Sequence, residues 1–367
     1  MKSRRIWAQV DLAAVVGNAQ AVAGVVSPSR IMAVVKADAY GHGMAPVARA
    51  LLGAGIDSFA VAGMDEASSL REAIGPNASI TLLSPLPPGA EADAVAARIA
   101  CLVSEADAMA RLAAAAEDAG SPAHIHLETD TGMGRTGAGM EAIADLLLQA
   151  IGSSWLQLDG LCTHLAAADT DRDFTRLQLD RFARAAALAP PGVVRHCAAT
   201  TGILGHPEAR YDLVRPGMLL YGLRPNMDGA QPALRPALAL RCSVALVQEM
   251  PEGWTVGYGC TARLDRASRV AVLTAGYGDG YPRALSNRGS VLVRGRRCPI
   301  LGTVCMDLTM VDVTDVPEVR SGDTATLIGS DGEERITVEE IARTIGTTEH
   351  EITTRIMPRV PRDYGAA

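Results

Sequence analysis

The sequence predicts an α/β fold: an N-terminal (β/α)8 TIM-type barrel followed by a C-terminal, mainly-β domain. Three observations point to it. The first two thirds of the 367 residues alternate short apolar runs with helical stretches, the rhythm of a parallel sheet wrapped by helices. Near "GAQPALRPALALRCSV", residues 229–244, that rhythm stops at Pro232 and Pro236. Beyond it, runs such as "RVAVLTAG", "GSVLVRG" and "DTATLIG" are apolar and bounded by turn residues, which is all-β character.

The strands are expected at 31–36, 59–63, 80–84, 99–103, 123–128, 157–163, 193–197 and 213–219. Between them, "PVARALLGAG" ends on a glycine stop, "EADAMARLAAAAEDAG" has acids near its start and Gly120 at its end, and "RDFTRLQLDRFARAAALAPPG" breaks at Pro-Pro-Gly. An open doubly wound sheet is the competing architecture, weakened because no G-x-G-x-x-G opens an early helix. In the second domain "ITVEEIARTIG" is a short helix. The domains are expected at 1–9 (a strand joining the C-terminal domain), 10–232 (barrel) and 233–367 (β domain).

Composition narrows the function. Hydrophobic residues are 48% and charged residues 20%, as in a well-cored globule, and the formal net charge of −7 argues against a nucleic-acid partner. No stretch approaches the ~20 apolar residues of a membrane span. The basic start "MKSRRIW" raises a signal peptide, but Asp11, Asn18 and Gln20 interrupt the apolar run behind it, so a cytoplasmic location is expected. Seven cysteines without a C-x-x-C read as reduced thiols, with no metal site expected.

In such barrels the chemistry gathers at the C-terminal ends of the strands. The first strand ends in Lys36 and Tyr40, and Glu128, Asp130 and Arg135 come after the fifth, in "HLETDTGMGRTG". His164 follows the sixth, Thr200 the seventh, and Arg215, Gly217 and Met218 the eighth, in "LVRPGMLLYG". Each has a plainer reading: an ion-paired lysine, a surface arginine, core histidines. His124 and His126 alternate on one strand face, and without a third ligand they read as structural. Together, a desolvated lysine and a phosphate site after the last strands suit a Schiff-base cofactor such as pyridoxal phosphate.

The segments "AVVKADAYGHG", "DTGMGRTG", "THLAAAD", "VRPGMLLYGL", "GYGDGYPR" and "GTVCMDLTMVDVT" together resemble the alanine racemase family, in family order over nearly the whole chain. The resemblance implies an isomerase that interconverts L- and D-alanine with pyridoxal 5'-phosphate. Lys36 would hold the cofactor and act as one acid–base group. Tyr277 of the partner subunit would act as the other, which makes the enzyme a homodimer with composite sites. Arg215 would face the pyridine nitrogen with His164 behind it. Tyr40, Thr200, Gly217 and Met218 would hold the phosphate. Arg135 would contact cofactor and substrate carboxylate, and Met306 the carboxylate, with Cys305 and Asp307 supporting that segment. A role in D-alanine biosynthesis for peptidoglycan precursors follows from the same resemblance.

Three positions depart from the family pattern. Glu128 stands where a lysine, often carbamylated, is common, and is expected to hold Arg135 directly. Ala199-Thr200 replaces Asn-Ser. Pro358 replaces a tyrosine that narrows the entrance, so serine is expected as a second substrate. Two rivals use the same cofactor: a barrel decarboxylase, which needs a catalytic cysteine and an acid at the ring nitrogen, and a cofactor-binding barrel without turnover, which lacks the β domain. An unrelated phosphate-binding barrel is the third.

Overall fold

A computed structural model describes residues 4–225, 227 and 232–365. Seven parallel strands run in sequence order: Ala33–Val34, Ser58–Val61, Ser79–Pro85, Ile99–Val103, Ala123–Glu128, Leu156–Cys162 and Val194–His196. The ring closes through Leu213–Val214, which pairs in parallel with Arg30–Ile31. Around the seam, the Met32 and Val34 amides donate to the carbonyls of Val214 (2.8 Å) and Pro216 (3.0 Å), and the Arg215 amide donates to Ala198 (2.9 Å). Ser58–Val61 and Ile99–Val103 are buried at every residue, as befits parallel strands covered on both faces, and this explains their unbroken apolar runs.

Local chemistry sets the helix limits. The Asp171 carboxylate accepts the Phe174 amide (2.9 Å) and starts Arg172–Ala186. Ala106–Ala119 stops at Gly120 in the left-handed conformation. Thr337 caps Val338–Ile345, which ends on Gly346 in the same way. The basic start of the chain leads into the strand Ile6–Val10 and the helix Leu12–Val26, capped by Asp11.

Two strands are shorter than expected. The first is interrupted at Met32 and ends at Val34, so Lys36 lies beyond it. The last ends at Val214 because Pro216, two residues on, has no amide to continue a ladder.

The C-terminal sheet is built on Leu238–Met250, which pairs antiparallel with Ile6–Val10, Ser268–Leu273 and Thr324–Asp331. Ile6–Val10 also pairs in parallel with Arg362–Tyr364, so segments near both chain ends lie in one sheet. Residues 228–231, which include part of the expected junction before 233, lie outside the described residues. No helix among the described residues is long and apolar enough to cross a membrane.

Candidate active site

Lys36 opens an unusual turn. Ala37, Asp38, Ala39 and Tyr40 all have φ between 52° and 54°, a left-handed helical turn without glycine. Such a conformation costs each residue about 1–2 kcal/mol and survives only where the surroundings impose it. Here Glu66 Oε1 accepts the Ala37 amide (2.6 Å) and Asp38 Oδ1 accepts the Met44 amide (2.8 Å). The Ala39 amide donates to Val35 and the Gly43 amide to Asp38, both at 2.8 Å. His42, buried under the turn, donates from Nδ1 to the carbonyls of Ala39 and Tyr40 (3.0 Å each). Burial lowers its pKa to about 4, so it stays neutral.

The Lys36 amine makes no hydrogen bond and no ion pair with any described residue, which removes the plain reading of an ion-paired structural lysine. Its pKa is lowered, first by burial and then by the Arg135 cation; Glu66 opposes the shift and Arg215 adds to it. A half-buried, unpartnered amine beside two guanidiniums holds a nucleophilic lone pair more readily than an exposed lysine does.

Arg215 lies below, 4% exposed. Its Nη1 donates to His196 Nδ1 (2.6 Å) and to the His196 carbonyl (3.1 Å). Its Nη2 donates to the carbonyls of Thr163 (2.9 Å) and Cys197 (3.2 Å) and to His164 Nδ1 (3.1 Å). Only Nε–H has no protein partner among the described residues. Burial, then the Arg215 charge, lowers the His164 pKa to about 3, so His164 accepts from Arg215 as a neutral ring.

Beside these groups lies a set of unused donors. The amides of Thr200, Gly217 and Met218 donate to nothing among the described residues, and neither Thr200–Gly205 nor Met218–Tyr221 has a side-chain cap. The Tyr40 ring stacks on Tyr221 (centroids 5.0 Å apart) and brings its hydroxyl so close to Gly217 that a Cβ there would lie 2.5 Å from it. Burial raises the Tyr40 phenol to about 12, which keeps it a donor.

Arg135 is exposed on a loop that Asp130 folds: its carboxylate accepts the amides of Gly132, Met133 and Gly134. Glu128, 5% exposed, anchors the loop through its carbonyl, which accepts the Ala138 amide (2.7 Å). No ion pair joins its carboxylate to Arg135, and Oε2 is buried without a hydrogen-bond partner among the described residues. The expected direct Glu128–Arg135 contact is therefore absent, because the Asp130-folded loop carries Arg135 outward.

Tyr277 belongs to the C-terminal domain. It is 41% exposed, and its hydroxyl makes no hydrogen bond with any described residue. The Tyr277 amide donates to Cys305 (3.0 Å) and the Gly278 amide to Met306 (2.8 Å). A Cβ on Gly276 would sit 2.2 Å from the Cys305 carbonyl, so glycine allows this contact. Asp279, fully buried, pairs with Arg5 and with Arg359 (2.9 Å), and Arg359 also holds Asp307 (2.7 Å). Met306 is 54% exposed, and its amide donates to nothing among the described residues. Burial raises the Cys305 thiol, which weakens it as the nucleophile that the decarboxylase reading requires.

The barrel therefore brings together Lys36, Tyr40, His164 and Arg215, and the C-terminal domain separately unites Tyr277 with Met306. Four residues that the sequence did not flag as site groups also take part: Glu66 under the Lys36 turn, His196 and His126 behind Arg215, and His350, whose ring is 6.3 Å from that of Tyr40. Only the polar strand-end position of His196 signalled it. His124 pairs instead with Asp159 (2.7 Å).

A (β/α)8 barrel with a lysine, a buried arginine and free amides at its C-terminal mouth, joined to a β domain, defines a barrel enzyme of the pyridoxal-phosphate class. Two family models place it further: the alanine racemase N-terminal domain matches residues 10–225 and the C-terminal domain residues 237–364. The chain is 42% identical to an alanine racemase of Symbiobacterium thermophilum, covering 99% of this chain and 97% of that one. It is 40% identical to that of Desulforamulus reducens, covering 98% of each. Among solved structures it superposes on alanine racemase from D-cycloserine-producing Streptomyces lavendulae with TM-score 0.92, at 37% identity over 100% of this chain and 98% of that one. Against the Bartonella henselae enzyme with covalently bound pyridoxal phosphate the TM-score is 0.91, at 30% identity over 99% and 100%. The chain belongs to the alanine racemase family, pyridoxal-phosphate-dependent isomerases that interconvert the enantiomers of alanine.

Proposed function

We propose that the chain racemises alanine by a two-base mechanism in which Lys36 works on one face of the α-carbon and Tyr277 of the partner subunit on the other. The observation that carries this reading is that the same chain holds a half-buried lysine and an exposed tyrosine, neither with a side-chain partner among the described residues. Racemisation requires a proton to leave one face and return to the other, so two acid–base groups on opposite sides are needed.

The residues fit the cofactor. The free amides of Thr200, Gly217 and Met218, with the Tyr40 and Thr200 hydroxyls, supply donors for a phosphate. The unpartnered Nε–H of Arg215 is the donor left to face a ring nitrogen. Bound there, the cofactor supplies an electron sink that acidifies the substrate α-proton. Arg215, always charged, keeps the ring nitrogen from taking a proton, which restrains side reactions. Arg135 and the free Met306 amide of the partner subunit orient the substrate carboxylate.

The exposed side chains of Tyr277, Met306, Leu308 and Met357 are tied together by backbone bonds and make a surface for a second copy of the chain. The enzyme is then a cytoplasmic homodimer that supplies D-alanine for peptidoglycan precursors. Pro358, exposed beside Met357, leaves room for serine as a second substrate.

The test is racemisation of L-alanine together with the visible absorbance of the bound cofactor. Both vanish in Lys36→Ala, whereas Tyr277→Phe loses turnover and keeps the absorbance. Carbon dioxide release without racemisation would replace this reading with the decarboxylase. A side-by-side assay with serine at background would end the serine extension alone.

A further inference from the structure

The hydrogen bonds behind Arg215 run in one direction. A guanidinium only donates, so His196 accepts at Nδ1 (2.6 Å) and carries its proton on Nε2. That nitrogen lies 2.8 Å from His126 Nδ1, so His126 accepts in turn and its own proton is on Nε2. The scheme requires both rings to be neutral. His126 is 6% exposed and His196 fully buried, and burial together with the nearby Arg215 charge lowers both from the ordinary histidine value.

Two local features place His126. The pairing with Leu156–Cys162 slips between Ile125 and His126. Opposite it stands Gly160, where a Cβ would lie 2.5 Å from His126 Nδ1. Any larger residue at 160 would push the ring away from His196. His126 also lines a cavity of about 400 Å³ at the N-terminal mouth of the barrel, together with His124, Arg30 and Asp159. The line of bonds thus runs through the barrel core from Arg215 to its other end.

We propose that His126 is a positioning residue for the racemase: it locks His196 in the Nε2–H tautomer, which keeps Arg215 fixed as a donor toward the cofactor. The inference rests on the reading that Arg215 faces the cofactor. His126 itself touches neither cofactor nor substrate.

Nitrogen-15 histidine NMR of the cofactor-free protein tests the first half. His126, His164 and His196 should all show neutral Nε2–H rings, and an Nδ1–H ring at His196 or His126 overturns the proposal. His126→Leu removes the acceptor of the His196 Nε2–H, so the His196 Nε2 signal should shift from its hydrogen-bonded position, with kcat for alanine about tenfold lower, the worth of one hydrogen bond, and KM nearly unchanged. His126→Gln restores an acceptor carbonyl and should recover both the His196 signal and kcat. Wild-type kcat and His196 signal in His126→Leu overturn the proposal. If that variant does not fold, Gly160→Ala displaces the same ring and should move the same His196 signal; an unmoved signal overturns it equally. The NMR readout needs no cofactor, so failure of the protein to racemise alanine would sink the proposed function and leave the tautomer question to be decided separately.

Discussion

The barrel mouth and the C-terminal turn are built in opposite ways. At the barrel mouth, Arg215 is buried and spends both Nη groups on five acceptors in its own chain. At the C-terminal turn the backbone is locked as firmly, through Asp279 and its two arginines, yet Tyr277 and Met306 face outward. The difference teaches how the two halves are built: one spends its polar groups on acceptors within its own chain, and the other leaves its side chains exposed, which is the division of labour that the proposed function requires.

The sharpest way to break that comparison is to remove a base from each half. Lys36→Ala should lower racemisation by about 10³-fold or more, and Tyr277→Phe by about 10²–10⁴-fold, the usual range for an acid–base group. Mixing the two inactive variants then asks whether the halves come from different chains. In random dimers, half pair one variant with the other, and each of these has one intact site, so activity should return to about a quarter of wild type. No recovery after verified subunit exchange would mean that Tyr277 serves its own chain.

A smaller effect is expected from the anchor of the outward half. Asp279→Asn removes a fully buried charge from between Arg5 and Arg359. It should destabilise the protein by about 3 kcal/mol, read from urea denaturation at a fixed protein concentration. Cofactor absorbance per folded subunit should be unchanged. Loss of cofactor at full stability would show that the two halves are not separable.

Acid should separate them as well. His42 and His126 titrate at about 4 and His164 at about 3 in the folded barrel, all through burial, against about 6.5 when unfolded. Between those values the unfolded chain binds more protons, so their stabilising contribution is complete above about pH 6.5 and falls as pH drops toward 4. The β domain holds a single histidine, His350. Hydrogen exchange at pH 5 against pH 7 should therefore show the barrel losing protection first; equal loss in both domains would contradict this.

Much of the barrel was legible because parallel strands buried on both faces leave unbroken apolar runs, and a charged residue at the end of one stands out. Lys36, His164 and Arg215 were found that way. The turn that carries Lys36 was not, since nothing in "KADAY" marks a left-handed conformation imposed by Glu66 and His42 from outside. The contact of His196 with His126 left no mark in the sequence because it joins residues 70 apart across the barrel. The closing strand was overestimated because the apolar run "MLLY" continues past Pro216 as a short helix. Tyr277 carried no signal in its local pattern; the motif around it drew attention to it only through a family resemblance.

The smallest expected effect concerns Glu128, where the two regions blur. It sits on a barrel strand, yet Oε2 is buried with no partner among the described residues, and the arginine it was expected to hold lies on an exposed loop. An unpartnered buried carboxylate oxygen is costly, and a residue kept at a cost to stability marks a functional constraint. We expect its negative charge to draw Arg135 inward once a cofactor and a substrate carboxylate complete the mouth. Glu128→Gln keeps the shape and removes the charge. It should raise stability by about 1 kcal/mol while lowering cofactor affinity and turnover a few-fold, measured by urea denaturation, cofactor titration and the alanine assay. A variant matching wild type in affinity and turnover would show that Arg135 works without Glu128, and that the barrel half of the site ends at Arg215.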